Sequence, residues 1–183
     1  MTNGPIETLE EEHRYIAKVV SAAGQLADRL VADRPVAAET LQNVVDFMRL
    51  YADKSHHGKE EDRLFPLLEM RGVPMHGCPL EALLHEHGTG RALVRGLAEA
   101  VEAFRAADPA AREQLIKNLR GIAELYPNHI WKEDYLLFPM SHKVLNADDQ
   151  RNLALEFAQV DEAFGRALHE QYERLSEQLA QTA

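Results

Sequence analysis

The chain has 183 residues, 45% of them hydrophobic, with thirty Asp and Glu against twenty Lys and Arg and a formal net charge of −10. That length fits a single domain, residues 1–183, with a substantial core. The acidity, with no basic cluster beside it, serves solubility and argues against nucleic acid as a partner. No run approaches the roughly 20 apolar residues of a membrane span, and the opening MTNGPIETLEEEH lacks the basic-then-apolar order of a secretory signal. A lone cysteine, Cys78, excludes an internal disulfide and fits a reducing, cytoplasmic setting.

The fold class expected is all-α. Helical periodicity predicts helices over about 5–32, 36–57 with a looser continuation to about 70, 79–107, 110–139 and 147–181. Pro35 and Pro109 fall where a proline at the first helical position is tolerated, and Asn146 with Asp149 three residues on forms a helix start. Pro127 should loosen or kink the fourth helix. The one obvious loop is RGVPMHGCP, residues 71–79.

Each core-facing stripe carries a polar group where a leucine belongs. The first runs Ile6, Leu9, His13, Ile16, Val20; the third Leu80, Leu83, His87, Val94, Leu97; the fourth Leu119, Ile122, Tyr126, His129, Glu133, Leu136. Burying an unpaired imidazole or carboxylate costs several kcal/mol in order of magnitude. One such histidine is ordinarily satisfied by a hydrogen bond; the same anomaly in four helices asks for a common partner.

The anomaly is also a repeat. HHGKEEDRLFP at 56–66 returns as HIWKEDYLLFP at 129–139, and the Glu-His of Glu12–His13 returns as Glu86–His87. Neighbouring residues lie about 100° apart on an α-helix. Stepping back from His56 meets Ala52, Met48 and Val45, whereas His57 leads to Asp53, Arg49 and Asp46. His56 and Glu60 are therefore expected to face the core, and His57 and Glu61 a wetter side; His85, about 200° from His87, should face solvent. Six inward groups result: His13, His56, Glu60, His87, His129 and Glu133. A His and a Glu at i and i+4 reach one site from one helical face, and six imidazole and carboxylate donors exceed what one tetrahedral zinc uses and suit a pair of transition metals. The Glu-x-x-His of ferritin-like di-iron bundles occurs once, at Glu10–His13, so that pattern does not fit.

LEEEH, HHGKEEDRLFP, HEHGTGR and HIWKEDYLLFP, in this order over about 6–140, resemble the hemerythrin-like, or HHE cation-binding, family. The resemblance implies an antiparallel up-down four-helix bundle with a non-haem di-iron centre, two carboxylates bridging the irons and an oxygen species completing the bridge. Carried over by position, the ligands are the same six residues. Oxygen-carrying members place a further histidine four residues after the third-helix ligand, where this chain has Arg91; they also often use an aspartate where this chain has Asp134, although the internal repeat favours Glu133. With one histidine missing, open metal positions are expected, and these favour reaction over reversible carriage.

The expected function is a di-iron protein that acts on small oxygen species, with peroxide decomposition ahead of oxygen or nitric oxide. Alternatives are reversible oxygen storage or sensing, an iron reservoir or donor for repair of iron centres, and a metal-free bundle. Tyr126 lies on the ligand stripe, placed to pack or to bond a bound species. Glu12 and Glu86 are candidates to orient imidazoles, or plain solvated charge. The C-terminal stripe of Leu153, Phe157, Val160, Phe164, Leu168, Leu175 and Leu179 should pack on the bundle, with a homodimer as the other use. Cys78 and His76 receive no role.

Overall fold

A computed structural model describes residues 4–76 and 79–182; Cys78 lies outside them. The described residues are helical, with no strand. Helix α1 spans Pro5–Val31 and has its proline at the first helical position. Helix α2, Ala38–Asp46, leads directly into wider π-helical turns at Phe47–His57 and Glu60–Leu64, then into α3, Phe65–Met70. Helix α4 is Pro79–Arg105; α5, Ala111–Lys132, passes through a π turn at Glu133–Leu137 into α6, Phe138–Val144. Helices α7, Ala147–Phe164, and α8, Arg166–Thr182, complete the chain.

Three expectations need adjustment. Pro35 precedes the start of α2 and Pro109 that of α5, because the chain turns for a few residues before each helix begins. The predicted C-terminal helix is two helices, divided at Gly165, whose φ of 97° only glycine adopts readily. Pro127 lies inside α5, the fourth helix of the sequence reading. Leu136 is exposed while Leu137 and Phe138 are buried, since the π turn after Lys132 shifts the helical phase by about one residue. Asn146 does cap α7, in a reciprocal capping box with Asp149.

Helix α5 packs against α1 and α4, the α2 segment packs against α4, and α8 lies along α1. Two apolar clusters form. One joins Ile16, Met48, Val94 and Tyr126 to Leu179; the other joins Leu9, Leu64, Leu83, Phe138 and Phe157. Along every long segment the polar residues fall in the gap: His13 between Leu9 and Ile16, His56 to Glu60 between Ala52 and Leu64, His87 between Leu83 and Val94, and His129 to Glu133 between Tyr126 and Leu137. The polar layer is thus sealed above and below by hydrocarbon, which keeps water out and strengthens every charge interaction within it. No helix among the described residues is long and apolar enough to cross a membrane.

Candidate metal centre

All six expected residues are buried and meet in this layer, and His57 joins them. Glu60 and Glu133 are fully buried, His56, His57 and His87 are each 1% exposed, and His13 and His129 are 3%. Their donor atoms fall into two groups: His57, His87 and His129 in one, and His13, His56, Glu60 and Glu133 in the other. Glu133 Oε2 lies 3.1 Å from His13 Nε2, and its Oε1 lies 3.3 Å from His129 Nε2 and 3.6 Å from His87 Nε2. Glu60 Oε2 lies 3.7 Å from His56 Nε2 and 3.5 Å from His87 Nε2. Each carboxylate therefore reaches imidazoles of both groups.

The placement of His57 corrects the sequence expectation of a wetter face. Residues 47–57 wind as a π-helix, whose i→i+5 bonds make wider turns than the α-helix assumed in the 100° count. Adjacent residues then subtend a smaller angle, so His56 and His57 both point inward. The His57 ring stacks on His87 at 3.9 Å between centroids. Its counterpart in the repeat is Ile130, so it makes the two halves chemically unequal. His85 is exposed, as expected.

Whether a metal fits can be judged from the orphaned atoms. Both oxygens of Glu60 and of Glu133, and Nε2 of His57, His87 and His129, are buried without a hydrogen bond. An unsatisfied buried polar group costs about 1–3 kcal/mol, so these atoms together would consume a stability of the usual 5–15 kcal/mol. On the other side, His13 Nε2 lies 3.1 Å from His56 Nε2. Burial disfavours charge on both rings, yet the hydrogen-bonded Asp134 and the nearby Glu133 carboxylate push His13 up to about 10, while burial together with the charged His13 pushes His56 down to about 4. One proton is shared where a cation would attract both nitrogens. Donor type, convergence and orphaned atoms all fit a bound metal pair.

The outward nitrogens are equally ordered. Nδ1 of His13 bonds Asp134 (2.7 Å), His56 bonds Glu12 (2.9 Å), His87 bonds Glu61 (2.6 Å) and His129 bonds Glu86 (3.1 Å). The set obeys the sequence repeat, with Glu12 matching Glu86 and Glu61 matching Asp134. Asp134 is thus placed behind His13 rather than in the inner cluster, where Glu133 stands. His57 Nδ1 lies 3.3 Å from Asp53. Arg91, at the position where a histidine was sought, instead ties Asp53 (2.8 Å) to Glu61 (2.7 Å) and so braces two of these imidazoles. Phe65 stacks on His87 and Phe138 on His13, again as repeat partners.

The two halves differ at their lysines. Lys132 bonds Glu86 with 32% of its side chain exposed. Its twin Lys59 is fully buried, bonded to Glu12 and to Asp161 of α7 (2.5 Å), and His169 of α8 lies 3.3 Å from the same Glu12. Burial alone would raise the Glu12 carboxyl, but hydrogen bonds from His169 and His56 and the Lys59 charge hold it well below the usual carboxylate range. Lys59→Ala should therefore cost about 3–5 kcal/mol, because it strands the buried Glu12 carboxylate, while Lys132→Ala should cost under about 1 kcal/mol. Denaturant midpoints of the two variants check this; equal losses would refute the asymmetry. Glu12 contributes its stability above the unfolded carboxyl value of about 4.3 and loses it as pH falls below that.

Sequence reasoning missed Lys59, Lys132, Glu61 and Asp161 as supports. The repeat did contain the lysines and acids, since Lys-Glu-Glu and Lys-Glu-Asp stand at equivalent places; nothing marked Asp161 or His169. Tyr126 is 4% exposed, with its ring 5.8 Å from His129, and no hydrogen bond to its hydroxyl is present among the described residues. Burial and the charges of Asp53 and Glu133 push it well above the ordinary phenol range, so it keeps its proton.

The family model of the hemerythrin HHE cation-binding domain matches residues 4–141. Among curated proteins, uncharacterized proteins of Mycobacterium bovis and of two Mycobacterium tuberculosis strains are each 27% identical over 152 residues. The alignment covers 82% of this chain and 58% of each relative, so this chain spans little more than half of their length.

Proposed function

As the chain belongs to the hemerythrin HHE cation-binding domain family, with the match covering residues 4–141, we propose that it holds two iron ions in an antiparallel four-helix bundle and decomposes hydrogen peroxide. In this reading His57, His87 and His129 would hold one ion and His13 and His56 the other, with Glu60 and Glu133 each within reach of imidazoles of both groups. Bound there, a pair of redox-active ions supplies two electrons and Lewis acidity.

The observation that carries the reaction is the carboxylate behind each of the four repeat-related imidazoles. A carboxylate on Nδ1 fixes the ring, holds its proton on the outer nitrogen and makes the inner nitrogen more basic. Such electron-rich ligands favour the more highly charged, oxidised metal over a reduced one that returns oxygen unchanged. The sealed layer excludes bulky organic substrates, which leaves species of a few atoms, with hydrogen peroxide, oxygen and nitric oxide among them. The half with His13 and His56 has fewer nitrogen donors and is the half where such a ligand would bind.

One observation favours a second reading, reversible oxygen binding. His57 restores the fifth imidazole whose absence, at Arg91, was the sequence argument against carriage. The deciding experiment follows the iron-loaded protein by optical spectroscopy through reduction, oxygenation and deoxygenation, then assays peroxide. A persistent oxidised spectrum with catalytic oxygen release from peroxide supports the enzyme; a band that vanishes on deoxygenation, with no turnover, establishes the carrier instead.

A further inference from the structure

Beside the metal layer, on the side of His57, a cavity of about 290 Å³ opens between the π-helical segment, α4 and α5. Its inner wall is His57 and Tyr126, and its rim carries Arg49, Arg91 and Arg95. On a chain of net charge −10 three guanidinium groups around one opening are a local reversal of sign. Asp53 is the only acid in the lining, and it is already held by Arg91 and His57. Arg91 spends Nε and Nη2 on Asp53 and Glu61, which leaves Nη1. Arg49 and Arg95 make no ion pair among the described residues.

The decisive feature is the Tyr126 hydroxyl. The side chain is more than nine-tenths buried, yet its hydroxyl has no protein partner and faces this cavity. Gly90 makes room for it: a Cβ there would stand 2.7 Å from the hydroxyl oxygen. Apart from His57 Nε2, which belongs to the metal layer, the free polar groups in the lining are guanidinium N–H groups and the Tyr126 hydroxyl. Charged donors gathered around one opening favour an anion, and the hydroxyl of the buried Tyr126, free to donate, adds a directional bond that an exposed arginine patch lacks. Met48 and Val94 supply apolar walls, so a strongly hydrated dianion fits poorly.

We propose that this cavity is a binding site for a small monovalent anion of halide, nitrite or azide size, held by the Tyr126 hydroxyl and the guanidinium groups of Arg49, Arg91 and Arg95. It does not rest on the proposed function; a bound anion there would set a negative charge beside His57, at the wall of the metal layer.

The test is ³⁵Cl magnetic resonance, in which chloride exchanging with a protein site shows a broadened line, with sodium nitrite and sodium azide as competitors. The wild-type protein should broaden the line, and nitrite should reverse this saturably. The exposed pair R49Q/R95Q should bind about tenfold more weakly or worse, Y126F should weaken binding without changing the charge, and R151Q/R174Q on the C-terminal helices should behave as wild type. No broadening that nitrite displaces, or the same loss in R151Q/R174Q as in R49Q/R95Q, overturns the site. Should Y126F not fold, the two surface pairs decide the matter. Iron content and peroxide turnover measured on the same samples judge the proposed function separately.

Discussion

On the two-ion reading proposed above, His57→Ala should strip the protein of much of its bound metal, leaving about one ion of the two, while His85→Ala should leave the content unchanged. The two histidines differ in place rather than in chemistry. His57 is 1% exposed, stacked on His87, with Nε2 buried and unbonded; His85, two residues before His87, is exposed. Loss of an outer partner of a metal ligand alone costs about 10–100-fold in affinity, and removing an inner donor should exceed that. Elemental analysis after dialysis against a mild chelator reads the result. Full retention of metal by His57→Ala would show that the inner set is the six residues without it.

Removing the metal from the wild-type protein should lower its melting temperature by about 10 °C or more. Each ion present at about 1,000 times its dissociation constant contributes about 4 kcal/mol, and in a chain of this size 1 kcal/mol moves the midpoint by about 2–4 °C. The physical source is the same set of orphaned atoms. Without cations, Glu60 and Glu133 face one another in a dry layer. Burial and the neighbouring Glu133 charge push Glu60 well above the carboxylate range, while the surrounding histidines overcome burial and hold Glu133 well below it. One proton then replaces a divalent or trivalent charge. Glu60→Gln should lose both ions and melt near the metal-free wild type in the presence and absence of iron. Calorimetry with and without chelator checks both statements; an unchanged midpoint in wild type would mean that the layer satisfies itself without metal.

Much of this could be read from the chain. Stripe periodicity placed His13, His56, His87 and His129 inside because each stands in phase with leucines and valines that have nowhere else to go. Where helices are regular, as through α1 and α4, that reading holds for most of each stripe, with Leu84 and Phe104 of α4 only half-buried. It failed at His57 and Leu136 for one reason. Both follow or lie within π turns, and a count at 100° per residue accumulates a phase error once the hydrogen-bond step changes. The repeat offered no warning at His57, since its counterpart is Ile130.

The sequence by itself determined that this protein is helical, that it repeats a His-Glu unit in two halves, and that Glu133 rather than Asp134 matches Glu60. These are properties of spacing along single helices, where neighbours three and four apart share a face. Tertiary structure decided the fifth imidazole, the carboxylate behind each ring, the burial of Lys59 under α7 and α8, and the donor-lined cavity at Tyr126. Those contacts join residues far apart in the chain, such as His13 with Asp134 and Glu12 with His169. Periodicity says which way a side chain points, and only packing says what it meets there.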